Sequence, residues 1–180
     1  TTYGPNLFRT TDGGATWSQI TNFPLGGSWY HIDFVSPNVG FMGSNGAVVR
    51  TTNGGASWEL VSGYPTAPVV LGMDFKDSQL GLAVGILAQS SENGVFKTTD
   101  GGATWTNRFP TSANDVVFLS TGVAIMVTPS GGIFRSADNG DSWTQIATVP
   151  TGLIEFAVIS GNTLAGVSWK GDVWRSADGG

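Results

Sequence analysis

Acidic residues recur along this chain in a regular pattern, and residues of this type form metal-binding and acid–base catalytic sites. Asp12, Asp100, Asp138 and Asp178 stand in near-identical local sequences, and Asn53 occupies the remaining equivalent position. Carboxylates of this kind can hold a metal ion or act as general acids and bases when a fold brings them together. The steps between the five positions are 41, 47, 38 and 40 residues. A long repeat of this kind places each copy on its own structural unit, so we expect a structural role for these side chains.

The repeated segment has the composition of a tight turn. Its first copy, FRTTDGGATW, spans Phe8 to Trp17, and further copies start at residues 49, 96, 134 and 174. A short Asp or Asn side chain can accept hydrogen bonds from turn amides, and the following glycines allow positive φ. Asn139 replaces a glycine in the fourth copy, where we expect it to adopt the left-handed conformation. The closing Trp should bury its ring against the same unit. The residues assigned to this structural role are Asp12, Trp17, Asn53, Trp58, Asp100, Trp105, Asp138, Trp143 and Asp178.

Short strands separated by glycine-marked turns fill the rest of each repeat. Segments such as 29–35 and 40–43 alternate apolar residues and are rich in β-branched and aromatic side chains, which is typical of strands. Four strands in about 40 residues is the period of a β-propeller blade. We therefore predict an all-β fold, a propeller of four-stranded antiparallel blades that is part of a larger propeller. The predicted units are a partial blade at 1–23, blades at 24–63, 64–110 and 111–148, and an incomplete blade at 149–180.

The turn segment resembles the Asp-box of the BNR-repeat propellers, Ser/Thr-x-Asp-x-Gly-x-Thr/Ser-Trp, along the whole chain. The resemblance implies that each box joins the third and fourth strands of a blade. Sialidases are the best known Asp-box enzymes, and they need three converging arginines and a Tyr–Glu pair. Only Arg108 lies outside the repeat position shared by the other arginines, so sialidase activity is excluded for this segment.

The resemblance also extends to propeller glycoside hydrolases that act on xyloglucan with a pair of aspartates. Asp33 and Asp74 occupy equivalent positions in the first strand of two blades. Their repetition favours strand pairing or channel lining over catalysis, and Asp115 is interpreted as a strand-end residue. His31 is the single histidine and the chain has no cysteine, so we expect no metal site and no cofactor.

Loops on one face of the predicted propeller gather aromatic, amide and basic residues. Such side chains suit recognition of a protein or a sugar, because flat rings bind at low entropic cost. For Trp29 and Trp169, packing between blades is the alternative interpretation. The candidate ligand-binding residues on this face are Trp29, Tyr30, His31, Tyr64, Gln89, Asn114, Trp169 and Lys170.

Charge and composition narrow the classes of partner. The net charge of −5 disfavours nucleic acid, and no apolar run approaches the roughly 20 residues that a membrane span requires. The stretches WYHIDF and GAVVRTTNGG are similar to photosystem II stability/assembly factors and to secreted bacterial propellers. We therefore expect a secreted or cell-surface bacterial binding module for a protein or carbohydrate ligand. The alternatives are part of a glycoside hydrolase acting on a polysaccharide such as xyloglucan and, second, a photosystem assembly-factor-like protein. Other partners would be the remaining blades of a longer chain.

Overall fold

The computed structural model describes residues 7–24, 28–44, 47–61, 68–87, 92–119, 122–149 and 152–180. All regular structure in these ranges is β-strand. No helix in them is long and apolar enough to cross a membrane. The strands are β1 (Leu7–Arg9), β2 (Ser18–Ile20), β3 (Trp29–Phe34), β4 (Gly40–Ser44), β5 (Val48–Thr51), β6 (Glu59–Leu60), β7 (Pro68–Phe75), β8 (Gly81–Leu87), β9 (Asn93–Thr98), β10 (Thr106–Phe109), β11 (Asp115–Phe118), β12 (Ala124–Val127), β13 (Gly132–Ser136), β14 (Thr144–Thr148), β15 (Leu153–Ser160), β16 (Thr163–Ser168) and β17 (Val173–Ser176).

The strands form successive antiparallel sheets in chain order. Strands β1 and β2 pair alone, three four-stranded sheets follow as β3–β6, β7–β10 and β11–β14, and β15–β17 form a three-stranded sheet. The first strands of neighbouring sheets, β3, β7, β11 and β15, pack against one another in sequence. This side-by-side arrangement around the first strands is that of propeller blades. The predicted fold class, an all-β propeller of antiparallel blades, is confirmed, and the sheets are consistent with a partial propeller.

Each repeated turn is held by its own side chains. In the first copy, Asp12 Oδ1 accepts hydrogen bonds from the Thr16 N–H at 2.9 Å and the Thr10 hydroxyl at 2.7 Å. The Thr10 hydroxyl oxygen in turn accepts the Gly14 N–H at 2.9 Å. The Thr16 hydroxyl donates to Asp12 Oδ2 at 2.6 Å. This bond, followed by those from the Thr16 N–H and the Thr10 hydroxyl, favours the ionised carboxylate and lowers the pKa of Asp12 to about 2. The box is therefore a self-contained turn in which the Thr two residues before the Asp also takes part.

The same bonds recur in the other copies, with Asn53 in place of an acid. Asn53 Oδ1 accepts the Ser57 N–H at 2.9 Å, and its amide nitrogen donates to the Ser57 hydroxyl at 2.8 Å. An amide can thus replace the carboxylate, because the bonds made by the acid side chain all have a counterpart. The Trp58 Nε1–H differs from the other box tryptophans, since it has no hydrogen-bond partner among the described residues. Asn139 has φ of 58°, which confirms the left-handed conformation expected there.

The tryptophans of the boxes differ in burial. Trp58 is 5% exposed, Trp105 and Trp143 are half-buried, and Trp17 is 60% exposed. Trp105, for example, packs against a cluster that includes Phe41 of the preceding blade. The Trp105 ring also lies edge-on to Phe75 of its own blade at 5.9 Å between ring centroids, as Trp58 does to Phe34 of its blade at 6.0 Å. The rings of these two boxes therefore pack against their own unit, and the cluster around Trp105 extends into the blade before it.

Two basic residues at one repeat position, Arg9 and Lys97, link their blade to the box of the next. Arg9 Nε donates to the Gly54 carbonyl oxygen at 2.6 Å. One blade further on, Lys97 Nζ lies 2.7 Å from Asp141 Oδ2, although Lys97 is only 8% exposed. These contacts bring residues about 45 positions apart together, and they orient adjacent sheets around the first strands.

Candidate functional site

A cavity of about 280 Å³ opens where the first strands of four sheets begin. Its walls come from β3, β7, β15 and the start of β11. Because strands of successive blades contribute one or two residues each, only the assembled propeller creates this cavity. The lining residues are Tyr30, His31, Leu71, Asn114, Asp115 and Glu155.

A second hollow of about 280 Å³ lies further along the same strands. His31 lines both hollows, and Asp33, Asp74 and Phe118 are among the other lining residues of the second. The first strands therefore surround a polar interior that contains several acids.

Aspartates on the first strands connect neighbouring blades. Asp33 Oδ2 accepts the Phe75 N–H at 2.9 Å, and Asp74 Oδ2 accepts the Phe118 N–H. Continuing the series, Asp115 Oδ2 accepts the N–H of Phe156 at 2.7 Å. Each carboxyl group thus accepts a hydrogen bond from the backbone of the first strand in the following blade. All three acids therefore have a structural role.

Asp74 and Asp115 are the more deeply buried acids, and their pKa values are raised. Burial raises the pKa of Asp115 to about 7; the Phe156 and Val116 amides oppose this shift and the Glu155 charge adds to it. Burial also raises the pKa of Asp74 to about 7, with the Phe118 amide opposing and Asp33 and Asp115 adding to the shift. Desolvation is the dominant cause in both, because the charged form loses water in the interior.

Asp115 also has an oxygen atom without a partner. The residue is 2% exposed, and its Oδ1 is buried with no hydrogen-bond partner among the described residues. Gly72 provides the room for this carboxyl, since a Cβ atom there would lie 2.3 Å from Oδ1. The site therefore contains a buried carboxyl oxygen that can accept a further hydrogen bond.

His31 lies between the two hollows as a neutral group. Burial lowers its pKa, while the charges of Asp33 and Glu155 and a hydrogen bond to the Met73 backbone oppose that shift. A neutral imidazole does not compensate the nearby acids at pH 7. It can donate or accept one further hydrogen bond.

The structure brings together three of the candidate face residues. Tyr30, His31 and Asn114 line the first cavity. Trp29 does not line it, because its ring packs on Phe23 at 4.8 Å between ring centroids. Tyr30 is 56% exposed, and the register of β3 against β4 shifts between Trp29 and His31, which interrupts the regular alternation of side chains there.

The remaining candidates lie elsewhere. Trp169 is 68% exposed, and Lys170 Nζ lies 5.2 Å from its ring centroid. The backbone N–H of Trp169 donates to the Gly152 carbonyl oxygen at 3.1 Å. Tyr64 and Gln89 lie outside the described residues.

The sequence prediction missed Leu71 and Glu155 as cavity residues, and it interpreted Asp115 only as a strand-end residue. The recurrence of an acid on each first strand was the available signal, with Asp33 and Asp74 near the strand end and Asp115 and Glu155 near the strand start.

The side chains that line the cavity determine which groups it can bind. Among the described residues, no group of three or more His, Asp or Glu side chains is arranged to hold a metal ion. The site offers a phenol, a neutral imidazole, an amide and two carboxyl groups around an alkyl wall. Such a set can bind a polar or positively charged group through hydrogen bonds.

Comparison with known proteins places the chain in a family. The photosynthesis system II assembly factor YCF48 family matches residues 17–179. No curated protein matches the sequence significantly. The structure of YCF48 from Cyanidioschyzon merolae has a TM-score of 0.71 and 21% identity, over 92% of this chain and 58% of that one.

Two further structures share the fold. YCF48 bound to D1 peptide has a TM-score of 0.66 and 23% identity, over 87% of this chain and 54% of its own. The GH74 xyloglucanase from Xanthomonas campestris has a TM-score of 0.73 and 17% identity, over 99% of this chain and 34% of its own. The chain thus spans little more than half the length of the YCF48 structures and a third of the xyloglucanase. With the Asp-boxes, the blade order and the family match, the chain belongs to the BNR-type propellers of the photosynthesis system II assembly factor YCF48 family.

Proposed function

We propose that this propeller is a non-catalytic binding module that takes a segment of another protein on the face where the first strands begin. The observation that carries the proposal is the convergence of Tyr30 and His31 from one blade and Asn114 from another on one cavity. An exposed aromatic ring beside hydrogen-bonding groups is typical of protein-recognition surfaces. The YCF48 structure bound to D1 peptide supports the same mode of action for a related fold.

The test is a binding selection followed by mapping. A random-peptide display library is selected on the purified chain, and the D1 peptide of the YCF48 complex is measured beside the selected peptides. Backbone amide NMR shifts then locate the binding site. We expect shifts at Tyr30, Leu71 and Asn114, and at least tenfold weaker binding by Tyr30→Ala. Phe8→Ala is the matched control, because Phe8 is 50% exposed and does not line the cavity. Binding that maps elsewhere, or no selected peptide, contradicts the proposal.

The alternative is part of a polysaccharide hydrolase, with Asp33 and Asp74 as the catalytic acids. The structural role of both carboxyl groups supports the binding module instead, because each already holds an amide of the neighbouring strand. Incubation with xyloglucan and measurement of new reducing ends separates the two functions. Turnover by the chain that disappears in Asp74→Asn would support the hydrolase. Binding of xyloglucan without turnover would make the ligand a glycan rather than a protein.

We further propose an extracellular or cell-surface location in a bacterium. The chain has 12% charged residues and 27 glycines, a composition that supports a surface-exposed β module. Fractionation of the source cells with an antibody against the chain tests this location. Signal confined to the cytoplasmic fraction would contradict it and would favour the photosystem assembly alternative.

A further inference from the structure

The unpartnered oxygen of Asp115 lies in a residue that forms part of the cavity wall. Oδ2 is occupied by the Phe156 amide, whereas Oδ1 is buried without a partner among the described residues. Buried polar atoms in folded proteins are nearly always satisfied by protein, water or a ligand. An acceptor of this kind at a cavity therefore indicates a missing hydrogen-bond donor.

The charges around the cavity indicate the kind of donor. Glu155 is exposed at the cavity and Asp115 is buried in its wall, and no Lys or Arg is among the described lining residues. The ion pairs found in the described part of the chain both involve Asp141, which does not line the cavity. Two carboxyl groups thus face the same space without a basic partner in it.

The walls of the cavity favour an organic cation with an alkyl stem. Tyr30 and Leu71 are 56% and 42% exposed, and both line the cavity beside the acids. The side chains of Lys and Arg lay their methylene groups along such apolar surface and direct the charged end to an acceptor. A metal ion fits less well, since the described residues offer no group of three ligands.

We propose that this cavity binds a lysine or arginine side chain of the protein ligand, with the charged end at Asp115 and Glu155 and the stem along Tyr30 and Leu71. The inference rests on the proposed function, because it names the group by which the binding module recognises its partner. The small volume of about 280 Å³ suits one side chain rather than a folded surface.

Binding of a cation at this place should depend on pH. The groups that face Asp115 from the packed elements are Asp74, Glu155 and His31. Since the pKa of Asp115 is about 7, its carboxylate becomes fully available only above neutral pH. Affinity for a cation is therefore expected to rise between pH 6 and pH 8.

The probe is n-butylammonium chloride, which copies the end of a lysine side chain, and the neutral comparison is n-butanol. Both are titrated into the chain at constant ionic strength while the amide signals of Phe156 and Gly72 are followed by NMR. We expect saturable shifts of these two amides with butylammonium and none with butanol. Shifts that do not saturate, or that spread over acidic residues generally, would overturn the proposal.

Charge-neutral variants test the assignment. Asp115→Asn keeps an oxygen for the Phe156 amide and should weaken butylammonium binding at least tenfold, and it should remove the pH dependence. Glu155→Gln lies at the exposed side, is not expected to affect folding, and should weaken binding about threefold. Asp12→Asn is the matched control, because Asn53 makes the same bonds in its own box. Equal affinity of the wild type and both cavity variants would refute the cation site.

The same variants separate this inference from the proposed function. Selected peptides that bind at the cavity without Lys or Arg, and that bind Asp115→Asn normally, would contradict the cation site and leave the binding module standing. Saturable binding of butylammonium with no peptide binding would support the cation site and contradict the binding module.

Discussion

Replacing Asp115 by asparagine should remove a large pH dependence of stability. Asp115 is 2% exposed, and its pKa is about 7 in the folded protein against an ordinary value of 3.8. Between these two pH values the folded chain holds a proton that the unfolded chain releases. Stability from this group is therefore fully present at low pH and is lost as the pH rises through about 7. Above that pH the loss is complete, and the contribution no longer changes.

The size of this change in stability follows from the pKa shift of Asp115. At 1.36 kcal/mol for each pKa unit, the free energy of unfolding of the wild type should fall by about 3 kcal/mol between pH 5 and pH 8 through Asp115 alone. Asparagine has no proton to lose, so the difference between wild type and Asp115→Asn should change by that amount over the same range. Asp74 titrates in both proteins, and its pKa is raised in part by the Asp115 charge, so the difference reports Asp115 together with its coupling to Asp74.

The assay is urea unfolding at pH 5, 6, 7 and 8, followed by the fluorescence of the seven tryptophans. Asp12→Asn serves as the control, because the pKa of Asp12 is about 2 and its titration is complete below this range. The wild type and the control should lose stability in parallel, and Asp115→Asn should lose less. A constant difference between wild type and Asp115→Asn from pH 5 to pH 8 would refute the argument that burial controls this carboxyl group.

Three further outcomes follow from the contacts between and within blades. Gly72→Ala should destabilise the fold by about 1–3 kcal/mol, because the new Cβ would meet Asp115 Oδ1 at 2.3 Å; a urea midpoint equal to that of the wild type would contradict this. Asp100→Ala should lower the free energy of unfolding by about 1 kcal/mol by removing the bonds to Thr104, whereas Asp100→Asn should cost less, as Asn53 indicates; equal loss in both would count against the box geometry. Lys97→Met should cost about 1 kcal/mol by removing the 2.7 Å pair with Asp141, and 1 M NaCl should reduce the difference from the wild type in thermal unfolding.

The repeat made the fold predictable from sequence. The spacing of the Asp-boxes and the period-2 alternation within each repeat indicate strands, turns and blades, because turn chemistry and strand alternation are local properties. The same locality explains why Asn53 could be assigned a working box without its structure. It does not extend to the stacking of Phe75, the residue next to Trp105, on Phe41 of the preceding blade, because that contact joins two repeats.

The candidate site was only partly predictable, for the same reason. Tyr30 and His31 could be placed near one face, whereas the separation of Trp29 from them depends on which side of β3 meets the neighbouring sheet. Asp115 and Glu155 are 40 positions apart and belong to different blades, so nothing in their local sequence associates them.

Sequence alone thus determined the all-β class and the chemistry of the turns, because these depend on residues within about ten positions of each other. It determined the blade repeat as well, because the same local pattern recurs at steps of 38 to 47 residues. The tertiary structure decided which acids meet, which oxygen lacks a partner and where the cavity opens. Those properties arise from the packing of first strands contributed by successive blades, and burial in that packing is what raises the pKa of Asp115.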